Sequence, residues 1–234
     1  MWDVDIFDRW VFLWGHGASF APGWRGFKSR LLQPIEDRLR HRKRFSAYNL
    51  GRDDLRRYLD HIASFRPAAI YAYSTAGHLL ALEAKESGFQ CNSLTIVILT
   101  AEAVLDCIVR SVENTFNVPA VAEYGSIECG FLAGEWPDRT LRIREDEVYL
   151  ESIPVANGRY DIIVTVLGNR SFPLLRHKID DISDAPIAYP DQGFAILHNV
   201  AGRSIDLVQT RVGRQLHGMS FEDILEEYSA FRRW

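Results

Sequence analysis

The chain has 234 residues, 47% of them apolar and six of them tryptophan, enough for one large domain or one and a half small ones around a sizeable core. Its 27 basic and 31 acidic residues leave a formal net charge of -4, which argues against a general nucleic-acid coat and describes an ordinary folded protein. Cys91, Cys107 and Cys129 are odd in number and lack Cys-x-x-Cys spacing, so they read as reduced thiols and not as a disulfide framework or zinc site. Met1 to Ile6 carries two acids where a secretory signal would be basic and then apolar. Apolar runs such as Leu94 to Leu99 fall far short of the ~20 residues a membrane span needs, so no span is expected and the cytoplasm is the expected location.

The first strand runs from Arg9 to Gly15 and ends at Gly15-His16-Gly17. Pro22 and Gly23 precede a helical stretch from Trp24 to Arg44, with Phe27, Leu31, Ile35 and Leu39 at helical spacing and a kink expected at Pro34. A short strand, Phe45 to Tyr48, leads into a helix with Leu55, Leu59 and Ile62 on one face. The strand Ala68 to Tyr73 follows, and Ser74 is placed to cap a helix that ends at Gly88. Leu94 to Leu99 reads as a buried strand, about Glu102 to Phe116 as an amphipathic helix, and Val118 to Glu123 as the next strand. Such alternation predicts right-handed βαβ crossovers and a mostly parallel sheet covered on both faces. After Glu128 the pattern changes to short strands at Arg142 to Arg144, Val148 to Leu150 and Ile162 to Thr165, with turns at Asn157-Gly158 and Gly168-Asn169. A last helix is expected from Ser220 to Arg232, with Glu222 and Asp223 near its positive end.

Three segments carry possible chemistry. Glu123-Tyr124-Gly125-Ser126-Ile127-Glu128-Cys129-Gly130 follows a buried strand, at the carboxyl edge where open α/β sheets bind ligands. Its glycines allow a sharp turn beside a ligand, its ring can stack on a base, and its carboxylate can hold magnesium on phosphates. A plain strand-to-turn connection fits it equally. Phe172 through Asp181 ends in Arg176-His177-Lys178-Ile179-Asp180-Asp181, which is either a site or a surface salt-bridge cluster. Gly202-Arg203-Ser204-Ile205-Asp206, followed by Gly213 to Gly218, reads locally as a hairpin.

Their order and spacing resemble the adenylate-forming superfamily of acyl-CoA synthetases and adenylation domains, in particular its phenylacetate–coenzyme A ligase and capsule-biosynthesis ligase-like branch. The likeness runs from about Arg9 to Tyr228 and includes Phe65-Arg66-Pro67 through Tyr73-Ser74. It implies that Tyr124, with Gly125 and Ser126, meets adenine, and that Glu128 holds magnesium and serves catalysis. Ala101, Glu102 and Ala103, in Thr100-Ala101-Glu102-Ala103, would line the other side of adenine. Asp181 would bind the ribose hydroxyls, and Arg203 would act at the nucleotide and the hinge. The implied fold is α/β: a mostly parallel sheet with helices on both faces, then a β-rich subdomain. This is like the large N-terminal domain of these enzymes, truncated at both ends. The implied division is a nucleotide-binding subdomain at 1–128, a β-rich subdomain at 129–201, and the hinge with the start of a C-terminal domain at 202–234.

The implied activity is ATP-dependent conversion of a small carboxylic acid to an acyl-adenylate and then a thioester. ATP/AMP, Mg2+ and coenzyme A are the implied cofactors. Nothing upstream of Arg9 matches the superfamily's Ser/Thr/Gly-rich phosphate loop, and little follows the hinge to carry its catalytic lysine. Lys178 lies in the ribose segment and does not replace it. His177, Ile179 and Asp180 stand where Tyr, Thr and Gly are usual, and Glu135-Trp136-Pro137 replaces a Glu-Cys-Pro, which leaves no cysteine cluster for a metal. Two expectations follow: a ligase fragment or split subunit whose phosphate loop comes from a separate chain, or an inactive remnant that binds nucleotide or a partner protein. The basic run Arg38 to Arg44 is read as a solvated helix end, so no nucleic-acid partner is expected. His16, His61, His78 and Cys129 are read as structural.

Overall fold

In strand β1 (Trp10–Trp14) Val11 and Leu13 are fully buried while the residues between them are partly exposed. This period of two, repeated along the chain, gives the sheet two different faces. The computed structural model describes residues 2–15, 34–198, 200–203, 207–209 and 215–217. It divides into two compact units, residues 1–125 with 134–139 and residues 126–133 with 140–234.

In the first unit β1 is joined by β2 (Arg42–Ser46), β3 (Ala69–Tyr73), β4 (Ile96–Thr100) and β5 (Ala120–Ser126), in the order β2-β1-β3-β4-β5 with every pairing parallel. Helix α1 (Arg52–Phe65) connects β2 to β3, α2 (Ser74–Ser87) connects β3 to β4, and α3 (Asp106–Phe116) connects β4 to β5. These crossovers all move across the sheet in one direction, so the right-handed rule places their helices on one face. Accordingly α1 packs on α2 and α2 on α3. Val11, Leu13, Ile70, Ala72, Val97 and Leu99 form one core cluster with Leu55, Leu59, Ile62 and Leu80 of the helices.

The β1-to-β2 connection moves the other way. Phe45 stacks on Tyr58 of α1 at 4.5 Å, which turns its neighbour Arg44 to the opposite face. There Arg44 pairs at 2.9 Å with Asp37 of the helical residues 34–39. Both faces of the mostly parallel sheet therefore carry helix, as the alternation of elements predicted. The second face also holds a smaller cluster of Ala69, Ile96 and Val121 packed with Trp2, Val4, Trp10 and Ile98.

Several boundaries differ from the sequence reading, β4 starting at Ile96 and β5 running on to Ser126 among them, and three differences are instructive. Strand β2 starts at Arg42, not Phe45, because its pairing with β1 outweighs the helical spacing of the preceding residues. Residue Ser74 is the first residue of α2 and not its cap; Tyr73 is the N-cap and supplies no side-chain bond. Helix α3 begins at Asp106 instead of Glu102. The expected helix from Ser220 to Arg232 and most of that from Trp24 to Arg44 lie outside the described residues.

The second unit is antiparallel. Strands β8 (Val148–Pro154), β9 (Tyr160–Val166), β10 (His177–Ser183) and β12 (Val200–Arg203) form a sheet in the order β12-β10-β9-β8. Pairs β7 (Leu141–Ile143) with β11 (Ile196–Leu197) and β13 (Leu207–Gln209) with β14 (Gln215–His217) are also antiparallel. Strand β6 (Gly130–Glu135) follows the turn after β5; its Gly-Phe-Leu-Ala-Gly-Glu sequence carries too weak an alternation to have been read as a strand. Val148, Leu150, Ile162, Val164 and Ile182 are buried on the four-stranded sheet.

Helices α1 and α2 are clasped by Glu83, a carboxylate only 6% exposed. Arg52 Nε donates to its Oε2 at 3.1 Å and Arg56 Nε to its Oε1 at 2.7 Å. Burial raises the pKa of Glu83, but the hydrogen bonds from Arg56 and Arg52 outweigh burial and hold it below the ordinary carboxylate value. A group with a lowered folded pKa contributes stability that is complete above its unfolded pKa and is lost as pH falls through the folded one. Glu83→Ala is therefore expected to lower unfolding free energy by about 1–2 kcal/mol at neutral pH and to flatten the acid limb of the stability curve. Urea titrations across pH measure both.

Candidate functional site

The strand order sets where the site can lie. The chain goes from β1 outward to β2 and returns past β1 to β3, so the topological switch falls between β1 and β3, where crevices open at the carboxyl edge of parallel sheets. At that edge Gly15 ends β1 among aromatic tips: a Cβ built there would sit 2.9 Å from Tyr48 Cζ and 3.0 Å from the Tyr73 hydroxyl.

Next along the edge, β4 ends in the buried Thr100, and Ala101 adopts φ +67°. Left-handed backbone costs an L-residue with a Cβ about 1–2 kcal/mol, and such strain collects at functional loops. Residues Ala101, Glu102 and Ala103 are exposed in this loop. The Glu102 carboxylate reaches across to α2 and accepts a hydrogen bond from the Thr75 N–H at 2.7 Å. It satisfies one of the helix's unpaired first-turn donors and places negative charge at its positive end.

Strand β5 carries Glu123 and Tyr124, both half-buried. The turn that follows is held by Ser126 Oγ, which accepts from the Cys129 N–H at 3.1 Å, and closes at Gly130 with φ +75°. Ile127 and Glu128 are exposed in this turn, as is Gly125 in the last residues of β5. Burial raises the pKa of the Cys129 thiol, against a smaller lowering by Ser126, so it is not an activated thiolate.

In the second unit Asp181 sits in an irregular stretch of β10. Lys178 is opposite Ile163 and Ile182 is opposite Asp161, so β10 holds three residues where β9 holds one. Within this bulge Asp180 has φ +60°. Bulges re-aim side chains next to sites; here Asp181 is left in register with Arg203 of β12, bringing the segment that ends at Asp181 beside the one that opens with Gly202-Arg203. Lys178 donates to Asp161 at 2.5 Å and Arg176 pairs with Glu151 at 3.2 Å, so neither of these bases stands alone at the strand end. Of Gly202 to Asp206, Gly202 and the backbone of Arg203 are described; Ser204 to Asp206, like His16, fall outside the described residues.

One constellation escaped the sequence reading. The Tyr71 hydroxyl donates to Glu123 Oε1 and also hydrogen-bonds the Thr100 side chain. These residues come from three adjacent strands, on the face away from α1, α2 and α3. Burial raises the Tyr71 pKa, as does the Glu123 carboxylate; burial also raises that of Glu123, partly offset by the Tyr71 bond. Parity was an available signal for Tyr71, which stands between the buried Ile70 and Ala72 in β3; no such alternation surrounds Glu123 in β5.

A five-stranded parallel α/β unit followed by a β-rich unit that carries the bulged Asp181 strand defines the class: the fold is that of the large domain of adenylate-forming ligases. No family model matches the chain. It is similar to protein CapK of Staphylococcus aureus, 27% identical over 171 residues, which are 71% of this chain and 38% of CapK. Among solved structures it resembles 2-hydroxyisobutyryl-CoA ligase in its postadenylation state with R3-HIB-AMP, at a TM-score of 0.72 and 16% identity, covering 97% of this chain and 50% of that one. It also resembles the anthranilate CoA ligase AuaEII with anthranoyl-AMP, at a TM-score of 0.60 and 14% identity, covering 97% of this chain and 45% of that one. The chain thus spans about half the length of these ligases and less of CapK.

The cap on α2 gives a stability test of Glu102. Glu102→Ala is expected to cost about 1 kcal/mol of unfolding free energy, the usual worth of a cap, read from thermal or urea unfolding. Ala101→Gly is expected to gain up to about 1 kcal/mol by relieving the left-handed backbone in the same measurement.

Proposed function

We propose that this chain is the nucleotide-holding part of a carboxylate-activating ligase, binding ATP and a small carboxylic acid to form an acyl-adenylate and then a thioester. The observation that carries this reading is Tyr124-Gly125-Ser126-Ile127-Glu128 at the carboxyl end of β5, in a fold shared with ligases solved with acyl-AMP compounds. In this reading Tyr124, Gly125 and Ser126 meet adenine on one side, and Ala101, Glu102 and Ala103 meet it on the other. Asp181 receives the ribose hydroxyls, and Gly202-Arg203 marks the hinge. The substrate carboxylate oxygen attacks the α-phosphorus, the bond to the bridging oxygen breaks and pyrophosphate leaves. Coenzyme A is the proposed acceptor, and the phosphate loop would come from another segment or chain.

Magnesium suits the donor set. Glu128 is a single exposed carboxylate, and no group of three or more potential metal ligands occurs among the described residues. Magnesium on a nucleotide needs only one or two carboxylates, since phosphates and water complete its shell. When bound there it would neutralise phosphate charge. The proposed location is the cytoplasm: Cys91, Cys107 and Cys129 are free thiols, and among the described residues no helix is long and apolar enough to cross a membrane.

A second reading, nucleotide or partner binding without turnover, draws on the engagement of Glu102 with α2 and on Asp180 beside Asp181. ATP–pyrophosphate exchange over a panel of aryl and short-chain acids separates the two. Exchange above background establishes the ligase. A raised melting temperature with AMP but no exchange leaves only the binding reading for this chain by itself. Saturation at a hundred times Kd corresponds to about 2.7 kcal/mol of added stability, and Asp181→Ala is expected to remove most of it; an unchanged shift would discard the ribose assignment.

A further inference from the structure

The Tyr71–Glu123 pair has a feature that a purely structural hydrogen bond does not need. Glu83, Glu113 and Glu135 are each met by an arginine, whereas no basic side chain among the described residues pairs with Glu123. A half-buried carboxylate without a cation is costly, and replacing it with a neutral amide would keep the Tyr71 bond without that cost. The surroundings favour positive charge. Trp14 stacks on Tyr71 at 5.3 Å, and Tyr73 meets Trp14 edge-on at 4.6 Å. Ring faces of Trp and Tyr attract ammonium and guanidinium groups. All four side chains are only partly buried, so a ligand can reach them. Trp14 and Tyr73 end β1 and β3 at the switch, Tyr71 carries the contact from β3 across β4 to Glu123 on β5, and Glu123 directly precedes Tyr124.

We infer that Glu123, with the Trp14–Tyr71–Tyr73 wall, selects a carboxylic acid that carries a second, cationic group, an alkylammonium held by the Glu123 carboxylate and the rings. The inference rests on the ligase reading and deepens it, because it names the class of acid. An acid with a neutral tail of equal size would cover Glu123 without neutralising it, which is the source of discrimination.

Isothermal titration with AMP present tests this at neutral pH, using two matched pairs: para-(aminomethyl)benzoate against para-ethylbenzoate, and δ-aminovalerate against hexanoate. The ammonium member of each pair is expected to bind about tenfold tighter or better, the worth of one charge-assisted hydrogen bond. Glu123→Gln retains an acceptor for Tyr71 and is expected to bring each pair within about twofold. Equal binding within the pairs, or a preference that survives Glu123→Gln, in a chain whose melting temperature rises with AMP overturns this inference and leaves the nucleotide site standing. A chain that does not respond to ATP or AMP overturns both.

Discussion

Val11 and Leu13 of β1, Ile70 and Ala72 of β3, and Val97 and Leu99 of β4 project to one side of the parallel sheet and are sealed beneath α1, α2 and α3. Each large aliphatic side chain so buried contributes about 1.5–3 kcal/mol. A slip of one residue in any strand would turn its apolar set out to the other face. This burial therefore fixes register as well as stability. It also forces the alternate residues, Trp14, Tyr71, Tyr73, Thr100 and Glu123 among them, onto the second face. The groups available for recognition at the carboxyl edge are a consequence of what the helices cover.

Polar clasps then fix the ends of the elements. Glu83 ties α1 to α2, and Glu102 ties the loop after β4 to the start of α2. Arg139 donates to the Ala120 carbonyl at 2.8 Å and meets Glu113 and Glu135, while the Ala122 N–H donates to Glu135 at 2.6 Å. These bonds hold β5 from its flanks just ahead of Tyr124. The strained Ala101 is maintained between the buried Thr100 and the helix-bound Glu102, where packing on either side over-determines its conformation.

The second unit reaches the same end by different means. An antiparallel sheet aims alternate side chains to fixed faces, so re-aiming a side chain in mid-strand takes a departure from the ladder. The bulge between Lys178 and Ile182, with its left-handed Asp180, supplies one. The left-handed backbone at Asp180 is tolerable because Asp enters that region more readily than most residues.

Much of this was legible in the residues alone. Period-two runs and helical spacing gave the order of strands and helices of the first unit, because apolar burial is written locally in each segment. The Tyr124 to Glu128 segment pointed to the carboxyl edge, and together with the Arg176 to Asp181 segment it pointed to a fold that the solved ligases share. Tertiary structure alone decided the rest. Glu102 caps a helix 27 residues away, and Tyr71 meets Glu123 across 52 residues. Pairing with β1 drew Arg42 to Arg44 into a strand against their helical spacing. In each case the deciding partner is distant in the chain. Desolvation and hydrogen bonding act on what is near in space, while a sequence shows only what is near in order.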